Sequence, residues 1–141
     1  MAATDSYEAV IHQLGMLHKR LRREQGRYLE EYDISVIAYH ILIIMRKNTQ
    51  ISQNDLAASL DVDKAMISRQ IQAMEQKGFL RSTTDPDCRR KKLFVLPQKA
   101  QELIPVLQEG HCQGLEQIFS DLDDQQVQTL YEILEGLVRK I

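Results

Sequence analysis

The sequence has no tryptophan, two cysteines and three prolines among its 141 residues. Cys88 and Cys112 form neither a disulfide framework nor a CxxC zinc half-site, which excludes a disulfide-stapled or zinc-ribbon fold. No apolar run reaches the roughly 18 residues that a membrane-spanning helix needs. The N-terminus lacks the basic start and apolar centre of a secretory signal. These absences favour one domain in a reducing, cytoplasmic compartment, without membrane contact.

Patterns that would indicate an enzyme or a metalloprotein are also missing. The four histidines, His12, His18, His40 and His111, are scattered, and neither a nucleophile motif nor a glycine-rich phosphate loop accompanies them. We therefore predict no enzymatic activity, no cofactor and no metal site. His40 lies inside an apolar stretch, and we interpret it as a hydrogen-bonded core residue rather than a ligand.

Charge is distributed unevenly along the chain, although it sums to only −2. Residues 64–92 contain eight basic and three acidic side chains, a net charge of +5 that leaves −7 for the remainder. The basic members of this segment are Lys64, Arg69, Lys77, Arg81, Arg89, Arg90, Lys91 and Lys92. A basic segment on an acidic body indicates a localised phosphate-binding surface.

Apolar residues recur at helical spacing in the first third of the chain. They predict a helix over residues 6–28 with one apolar stripe. Its basic opposite face is interpreted as solvated, with a phosphate or partner contact as the alternative. Ser35 is a good N-cap for a second helix, VIAYHILIIMRK, whose apolar centre predicts burial on most sides.

Two helices joined by a three-residue turn then form a helix-turn-helix pattern. Ser52 is predicted to cap the first, QNDLAASL, and Asp63 to cap the second, which Gly78 ends as a left-handed C-cap. In the second helix Ile67, Ile71 and Met74 point inward. The outward residues are types that read base edges in DNA: Lys64, Ala65, Ser68, Arg69, Gln72 and Gln76. A merely solvated face is the alternative, but such a face more usually carries glutamates.

A charged hairpin follows this helix. Residues 79–84 and 93–96 are short β-favouring runs, and Asp85-Pro86-Asp87 supplies turn chemistry between them. Four adjacent basic residues, Arg89 to Lys92, are predicted to lie at the hairpin tip. Folding does not explain such a cluster, whereas an arginine on a projecting loop can enter the minor groove of DNA.

Two long helices are predicted after Pro97. The first runs to about Ser120, with a kink expected from Pro105, Gly110 and Gly114. The second begins at a capping box of Asp123 and Gln126 and carries a nearly strict apolar stripe. This stripe is predicted to form a dimer interface together with the N-terminal helix. Packing within one monomer is the alternative. The predicted interface residues are Tyr7, Ile11, Leu14, Leu130, Leu134, Leu137 and Val138.

The order of these elements resembles the MarR (multiple-antibiotic-resistance regulator) family. The resemblance rests on ISQNDLAASLDVDKAMISRQIQAMEQKGFL followed by DPDCRRKKLFVLPQKAQEL, and it covers essentially the whole chain. It implies a dimeric bacterial winged-helix repressor or activator, often with a small-molecule or redox signal sensed between its lobes. A pocket is then expected near Ile11, Tyr39 and the start of the helix after the wing. By the same resemblance Arg89 matches the wing arginine that reaches the minor groove.

The wing departs from the family pattern at one position. Family members commonly carry an aspartate directly before the paired arginines, where this chain has Cys88. The resemblance leaves two alternatives: the wing is looser than in the family, or Asp87 replaces that aspartate in bracing an arginine. Exposure and the neighbouring cations make Cys88 a possible redox sensor. Cys112, on the apolar side of a helix, is predicted to be a core or interface residue.

Together these observations predict a mainly α (α+β) fold, a winged helix-turn-helix with a small β-hairpin wing between terminal dimerisation helices. The DNA-binding lobe is expected over about 35–96, and the dimerisation lobe over about 6–30 and 98–141. The predicted function is a homodimeric, sequence-specific transcriptional regulator, preferably a repressor, on double-stranded DNA with an inverted-repeat operator. The predicted DNA contacts are Ser52, Gln53, Lys64, Ala65, Ser68, Arg69, Gln72, Arg89, Arg90 and Lys91. The alternative is a winged-helix protein-interaction module that does not bind DNA.

Overall fold

The computed structural model describes residues 3–48 and 50–141. Their elements follow the predicted order, with one additional strand, β1. The helices are α1 (Ala3–Glu30), α2 (Val36–Lys47), α3 (Gln53–Leu60), α4 (Lys64–Gln76), α5 (Gln98–Phe119) and α6 (Asp124–Val138), and the strands are β1 (Ile51–Ser52), β2 (Arg81–Asp85) and β3 (Cys88–Val95). Within these described ranges, no helix is both long and apolar enough to span a bilayer.

Helix α2 lies at the centre of the core. It begins as predicted at Ser35, whose side chain accepts a hydrogen bond from the Ala38 backbone N–H at 3.0 Å. Ile41 and Leu42 are completely buried, and the apolar core around them is continuous. It extends from Leu29 and the helix-turn-helix to Ala100, Ile104 and Leu107 of α5. The winged-helix elements therefore share one core with the end of α1 and with α5.

The turn between α3 and α4 is closed by backbone geometry that aspartate tolerates. Asp61 is left-handed, with φ of 51°, and Val62 donates its N–H to the Ala57 carbonyl at 3.3 Å. Asp63 then caps α4 by accepting from the Met66 N–H at 2.7 Å. The predicted caps and the three-residue turn are confirmed.

Gly78 ends α4 in the predicted left-handed conformation, with φ of 79°. Its N–H bonds to Glu75 and that of Phe79 to Met74, the paired pattern of a Schellman motif. The Lys99 ammonium from α5 donates to the Lys77 carbonyl at 2.8 Å and lies 4.7 Å from the centre of the Phe79 ring. These contacts fix the end of α4 against the start of α5.

The hairpin differs from its prediction in where the basic residues lie. The turn itself is only Pro86 and Asp87, and the segment Arg89 to Lys92 belongs to β3. The basic residues therefore follow the turn instead of forming it, so the predicted charged turn is too long. Thr84 pairs with Lys92 and Asp85 with Cys88, so the backbone of residues 89–91 forms a bulge in β3 between these two pairs. The side chains of Arg89, Arg90 and Lys92 are exposed to water there.

The sequence analysis did not predict strand β1, because the strand has only two residues. Ile51 pairs with Phe94 and Ser52 with Leu93, which gives an antiparallel sheet of order β1-β3-β2. The pairing fixes the base of the wing to the start of α3. The wing and the helix-turn-helix therefore form one unit.

Gly110 explains how closely α1 and α5 approach. Tyr28 of α1 crosses α5 at this glycine and donates its hydroxyl to the Val106 carbonyl at 2.8 Å. Burial, together with a hydrogen bond to Tyr32 and nearby carboxylates, raises the pKa of Tyr28 to about 12, so the phenol remains a donor. A Cβ at Gly110 would overlap the Tyr28 ring. The sequence interpretation of Gly110 only as a helix interruption missed this contact.

Helix α6 stands apart from the core. Its capping box is confirmed: Asp123 accepts from the Gln126 N–H at 2.7 Å, and the Gln126 side chain accepts from the Asp123 N–H at 3.0 Å. None of its residues is buried. Cys112 of α5 is also exposed, which corrects its assignment to the core; its assignment to an interface stays a prediction.

Replacing Gly110 by alanine should destabilise the protein, because the new methyl group must displace the Tyr28 ring. We expect Gly110→Ala to lower the free energy of unfolding by about 1–3 kcal/mol, measured by urea denaturation. Gly114→Ala is the matched control in the same helix, since nothing lies within 4 Å of its added Cβ. The control should be neutral or stabilising by up to about 1 kcal/mol. Equal effects of the two substitutions would disprove the close-packing role.

Candidate nucleic-acid interface

Helix α4 presents a polar face opposite its buried side. Ile67, Ile71 and Met74 are buried, as predicted, and lie toward α2 and α3. The opposite side carries five exposed residues that were predicted to contact DNA: Lys64, Ala65, Ser68, Arg69 and Gln72. Within residues 3–48 and 50–141, none of these side chains forms an intramolecular hydrogen bond or ion pair. The face therefore contributes nothing to the fold that would explain its composition.

The start of α3 was also predicted to contact DNA, through Ser52 and Gln53. Ser52 is only 6% exposed. Its hydroxyl accepts from the Asp55 N–H at 3.2 Å and donates to the Asp55 carboxylate at 2.7 Å. Because the N-cap uses this side chain fully, Ser52 does not suit the predicted direct contact. Gln53 is half-buried and reaches the surface.

The wing displays its arginines on a strand. Arg89 and Arg90 are both exposed, and they lie in the bulge between the Asp85–Cys88 and Thr84–Lys92 pairs. The described part of the chain provides no carboxylate within ion-pair distance of either one. Asp87 therefore does not replace the bracing aspartate; instead its N–H donates to the Asp85 side chain at 2.9 Å within the turn. The backbone of Lys91 lies in β3, while its side chain is outside the described part of the structure.

A shallow cleft joins the wing to the helix-turn-helix. It has a volume of about 460 Å³ and is lined by Ser52, Gln53, Asn54, Cys88, Arg90 and Lys92. Two cations and the positive end of α3 face this cleft, an arrangement that suits an anion such as a backbone phosphate. Asn54 and Lys92 were not among the predicted contacts. Only the pairing of β1 with β3, which no local pattern indicates, brings them together.

Not all of the basic segment belongs to this surface. The Lys77 ammonium lies 3.3 Å from the Asp33 carboxylate and donates to the Asp33 carbonyl at 2.8 Å. It thus stabilises the junction between α4 and the end of α1. The net charge of residues 64–92 consequently overstates the charge available for a ligand.

Cys88 is exposed at the edge of the cleft, so its prediction as a redox sensor remains a prediction. Within residues 3–48 and 50–141, no three histidine, cysteine or acidic side chains are grouped so that they could hold a metal ion.

Sequence comparisons agree with this geometry. Residues 34–92 match the MarR family. The HTH-type transcriptional regulator BilQ of Clostridioides difficile is 28% identical over 98 residues, which cover 70% of this chain and 66% of that protein. The putative transcriptional regulatory protein for the hcr operon of Thauera aromatica is 34% identical over 104 residues, covering 72% of this chain and 61% of that protein. The chain thus spans less than two thirds of the length of either relative.

The chain thus resembles the MarR family over its helix-turn-helix and most of its wing. Members of this family are DNA-binding transcriptional regulators and not enzymes.

Solved MarR-family structures share the whole architecture. The transcriptional regulator BldR from Sulfolobus solfataricus superposes with a TM-score of 0.89 at 20% identity, covering 100% of both chains. A mutant MarR from E. coli complexed with operator DNA superposes with a TM-score of 0.85 at 19% identity, covering 97% of this chain and 99% of the other. At these identities the likeness establishes the fold, the predicted winged helix-turn-helix with terminal helices.

Removing the Ser52 hydroxyl should reduce stability, because the first turn of α3 would lose its cap. We expect Ser52→Ala to lower the free energy of unfolding by about 1 kcal/mol in thermal or urea denaturation. Ser59→Ala is the control, since Ser59 is exposed in the body of α3 and should change stability by less than about 0.5 kcal/mol. A stable Ser52→Ala variant with impaired DNA binding would restore Ser52 as a direct contact.

Proposed function

We propose that this protein is a homodimeric transcriptional regulator that binds a specific inverted-repeat operator. The observation that supports this most strongly is the exposed polar face of α4, whose side chains have no partner within the described residues. In a winged helix-turn-helix the second helix of the motif enters the major groove. The same rigid unit also carries the basic wing. This combination favours DNA binding over a purely structural role for the two surfaces.

The α4 face offers the chemistry of direct readout. Arg69 can donate two hydrogen bonds to guanine, and Gln72 can pair with the edge of adenine. Ala65 suits the methyl group of thymine. Lys64, next to the Asp63 cap, is placed to meet a phosphate as the helix enters the groove. Ser68 completes the face with a small donor and acceptor.

The wing is proposed to hold the flanking DNA. Arg89 has no intramolecular carboxylate partner in the described chain, so its guanidinium is available for the minor groove. Arg90 and Lys92 lie on the cleft at the start of α3, where a phosphate would meet both cations and the helix N-terminus. Lys91 is included in this basic strand by sequence. The proposal therefore separates a base-reading helix from a phosphate-holding wing.

We propose homodimerisation because a single chain exposes more surface to solvent than a compact monomer of its mass. The chain exposes 10466 Å². A compact monomer of 16.3 kDa would expose roughly 7,500 Å². The excess is about 3,000 Å² per chain, or about 6,000 Å² for two chains, which matches the largest obligate interfaces, of roughly 5,000 Å² and more over both partners. It includes apolar side chains such as Tyr7 (71% exposed), Tyr131 (58%) and Val138 (70%).

The proposed interface joins both ends of the chain. Exposed residues of α1 and α6 form it: Tyr7, Ile11, Leu137 and Val138, flanked by the partly covered Leu14, Leu130 and Leu134. A second copy of the same helices has matching apolar faces, as a two-fold interface requires. Such a dimer would present two α4 helices to successive major grooves.

A small-molecule effector is proposed to act beside the wing. A cavity of about 400 Å³ opens between the end of α2, the end of β3 and the first half of α5; it is lined by Met45, Arg46, Val95, Leu96, Gln101, Ile104 and Pro105. This cavity adjoins the start of α5, as predicted, but neither Ile11 nor Tyr39 lines it. A ligand there would contact both the wing base and a long helix, and it could shift their relative position.

The direct test is a mobility shift of the purified protein with its own upstream DNA at two salt concentrations. A discrete complex that weakens steeply with salt is expected for a regulator that neutralises phosphates. Absence of a shift at low salt would instead favour the protein-interaction module.

A reporter gene fused to the bound promoter measures the direction of regulation. We propose repression, so expression should fall when the regulator is present. Higher expression with the regulator present would make it an activator.

Two arginine substitutions distinguish the proposed base contacts of α4 from the proposed backbone contacts of the wing. Arg69→Ala should weaken cognate binding by about 1–3 kcal/mol and relax sequence preference at one base pair. Arg89→Ala should lower the slope of log affinity against log salt by about 1. Fluorescence anisotropy with cognate and scrambled duplexes measures both effects. Arg139→Ala, at the C-cap that follows α6, is the charge-matched control and should leave both quantities unchanged. Unaltered cognate affinity in Arg89→Ala would refute the wing assignment.

A charge on the apolar face of α6 should disrupt the dimer. Leu137→Glu would bury a carboxylate in the proposed interface, so we expect it to shift the protein toward monomer in analytical ultracentrifugation. Gln128→Glu adds the same charge on the polar face of α6 and should leave the assembly intact. A dimer that survives Leu137→Glu would place the interface elsewhere.

A further inference from the structure

Two histidines meet where α1, α2 and α5 pack together. Both rings are near the buried Tyr39: the centre of its ring is 5.6 Å from that of His40 and 5.3 Å from that of His111. Gln25 of α1 places its amide Nε2 3.3 Å from Nε2 of His111. We call His40, Tyr39, His111 and Gln25 the histidine junction. It connects the core helix of the winged-helix unit to the two helices that extend toward the proposed dimer interface.

The surroundings of both rings disfavour a positive charge. Burial lowers the pKa of His40 below its ordinary value of 6.5, and the Arg22 guanidinium and His111 lower it further. Burial also lowers the pKa of His111. Both rings are therefore neutral near pH 7. As a neutral ring, His111 can accept a hydrogen bond from the Gln25 amide through Nε2.

We propose that the histidine junction is a pH-sensitive switch, in which protonation of His40 and His111 loosens the packing of α2 against α1 and α5. Two half-buried imidazolium rings beside one tyrosine and Arg22 would repel one another. Protonated Nε2 of His111 also becomes a donor facing the donor group of Gln25, so the amide must turn. Each change acts on the junction between the winged-helix unit and the long helices.

The direction of the pH effect follows from the lowered pKa values. The folded, closed junction binds protons less readily than an opened or unfolded chain. Its stabilising contribution is fully present above the ordinary value of 6.5 and is lost as pH falls through the folded-state values. Acid should therefore loosen the junction, and neutral pH should keep it closed.

Other groups near the histidine junction can stabilise a protonated histidine, but they offset the repulsion between the two imidazolium rings only in part. A tyrosine ring attracts a cation, so Tyr39 can stabilise one imidazolium on its face. The cavity beside His111, of about 350 Å³, is also lined by Glu24, Arg27 and Glu31. Glu24 lies 3.9 Å from Arg27, so part of its charge is already balanced. Cys112 faces Tyr39 from α5.

The switch can be tested with neutral isosteres of each histidine. His40→Gln and His111→Gln remove the titratable ring, and His18→Gln on the exposed surface of α1 is the matched control. Urea denaturation of the wild type and the three variants is compared at about pH 7.5 and about pH 5.5. Hydrogen exchange of α2 and α5 amides at the same two pH values reports local opening, including in a variant of low stability.

The wild type and His18→Gln should lose stability and exchange protection on acidification, while His40→Gln and His111→Gln should lose much less. Equal losses in all four proteins would overturn the switch. A second readout rests on the proposed function: operator affinity should fall by about fivefold or more in the wild type between the two pH values, and by less than about twofold in the junction variants. If the wild type binds no operator at either pH, the proposed function fails, while the denaturation and exchange data still decide the switch.

Discussion

Burial of α2 is the constraint on which the rest of the structure depends. Ile41 and Leu42 have no exposed surface, and their neighbours come from the helix-turn-helix, the end of α1 and α5. A helix apolar on most sides can be stable in water only when other elements enclose it. The inner face of α4 is fixed because α2 lies behind it. The same burial ties the winged-helix unit to α1 and α5.

The uneven distribution of apolar surface connects fold to assembly. The winged-helix unit, the end of α1 and the first half of α5 share one buried core, whereas α6 buries no residue and the N-terminal part of α1 exposes large side chains. A stable monomer rarely leaves a continuous apolar surface of this size in water. Assembly through the chain ends would cover it and would also set the distance between two α4 helices. In that arrangement dimerisation determines operator spacing, while α4 determines operator sequence.

The sequence predicted those features that depend on local chemistry. Ser35, Asp63 and Asp123 cap their helices as expected, since capping needs only a side-chain oxygen and the next turn of backbone. Strand β1 and the length of β3 were missed because pairing between distant residues creates them. The same limit applies to Gly110: its sequence context suggests a helix interruption, and only the crossing of Tyr28 gives it a packing role. At the candidate site, the exposed face of α4 was predicted, but the cleft between α3 and β3 was not.

Charge counted along a sequence differs from charge available in space, and the wing shows why. Lys77 contributes to the basic segment but is bonded to Asp33, whereas Arg89 and Arg90 have no carboxylate partner in the described chain. A bracing aspartate would hold an arginine in one orientation and neutralise part of its field. With Cys88 at that position, no such carboxylate neutralises the wing arginines. Under the proposed function, such a wing would attract phosphates, and sequence discrimination would depend more heavily on α4.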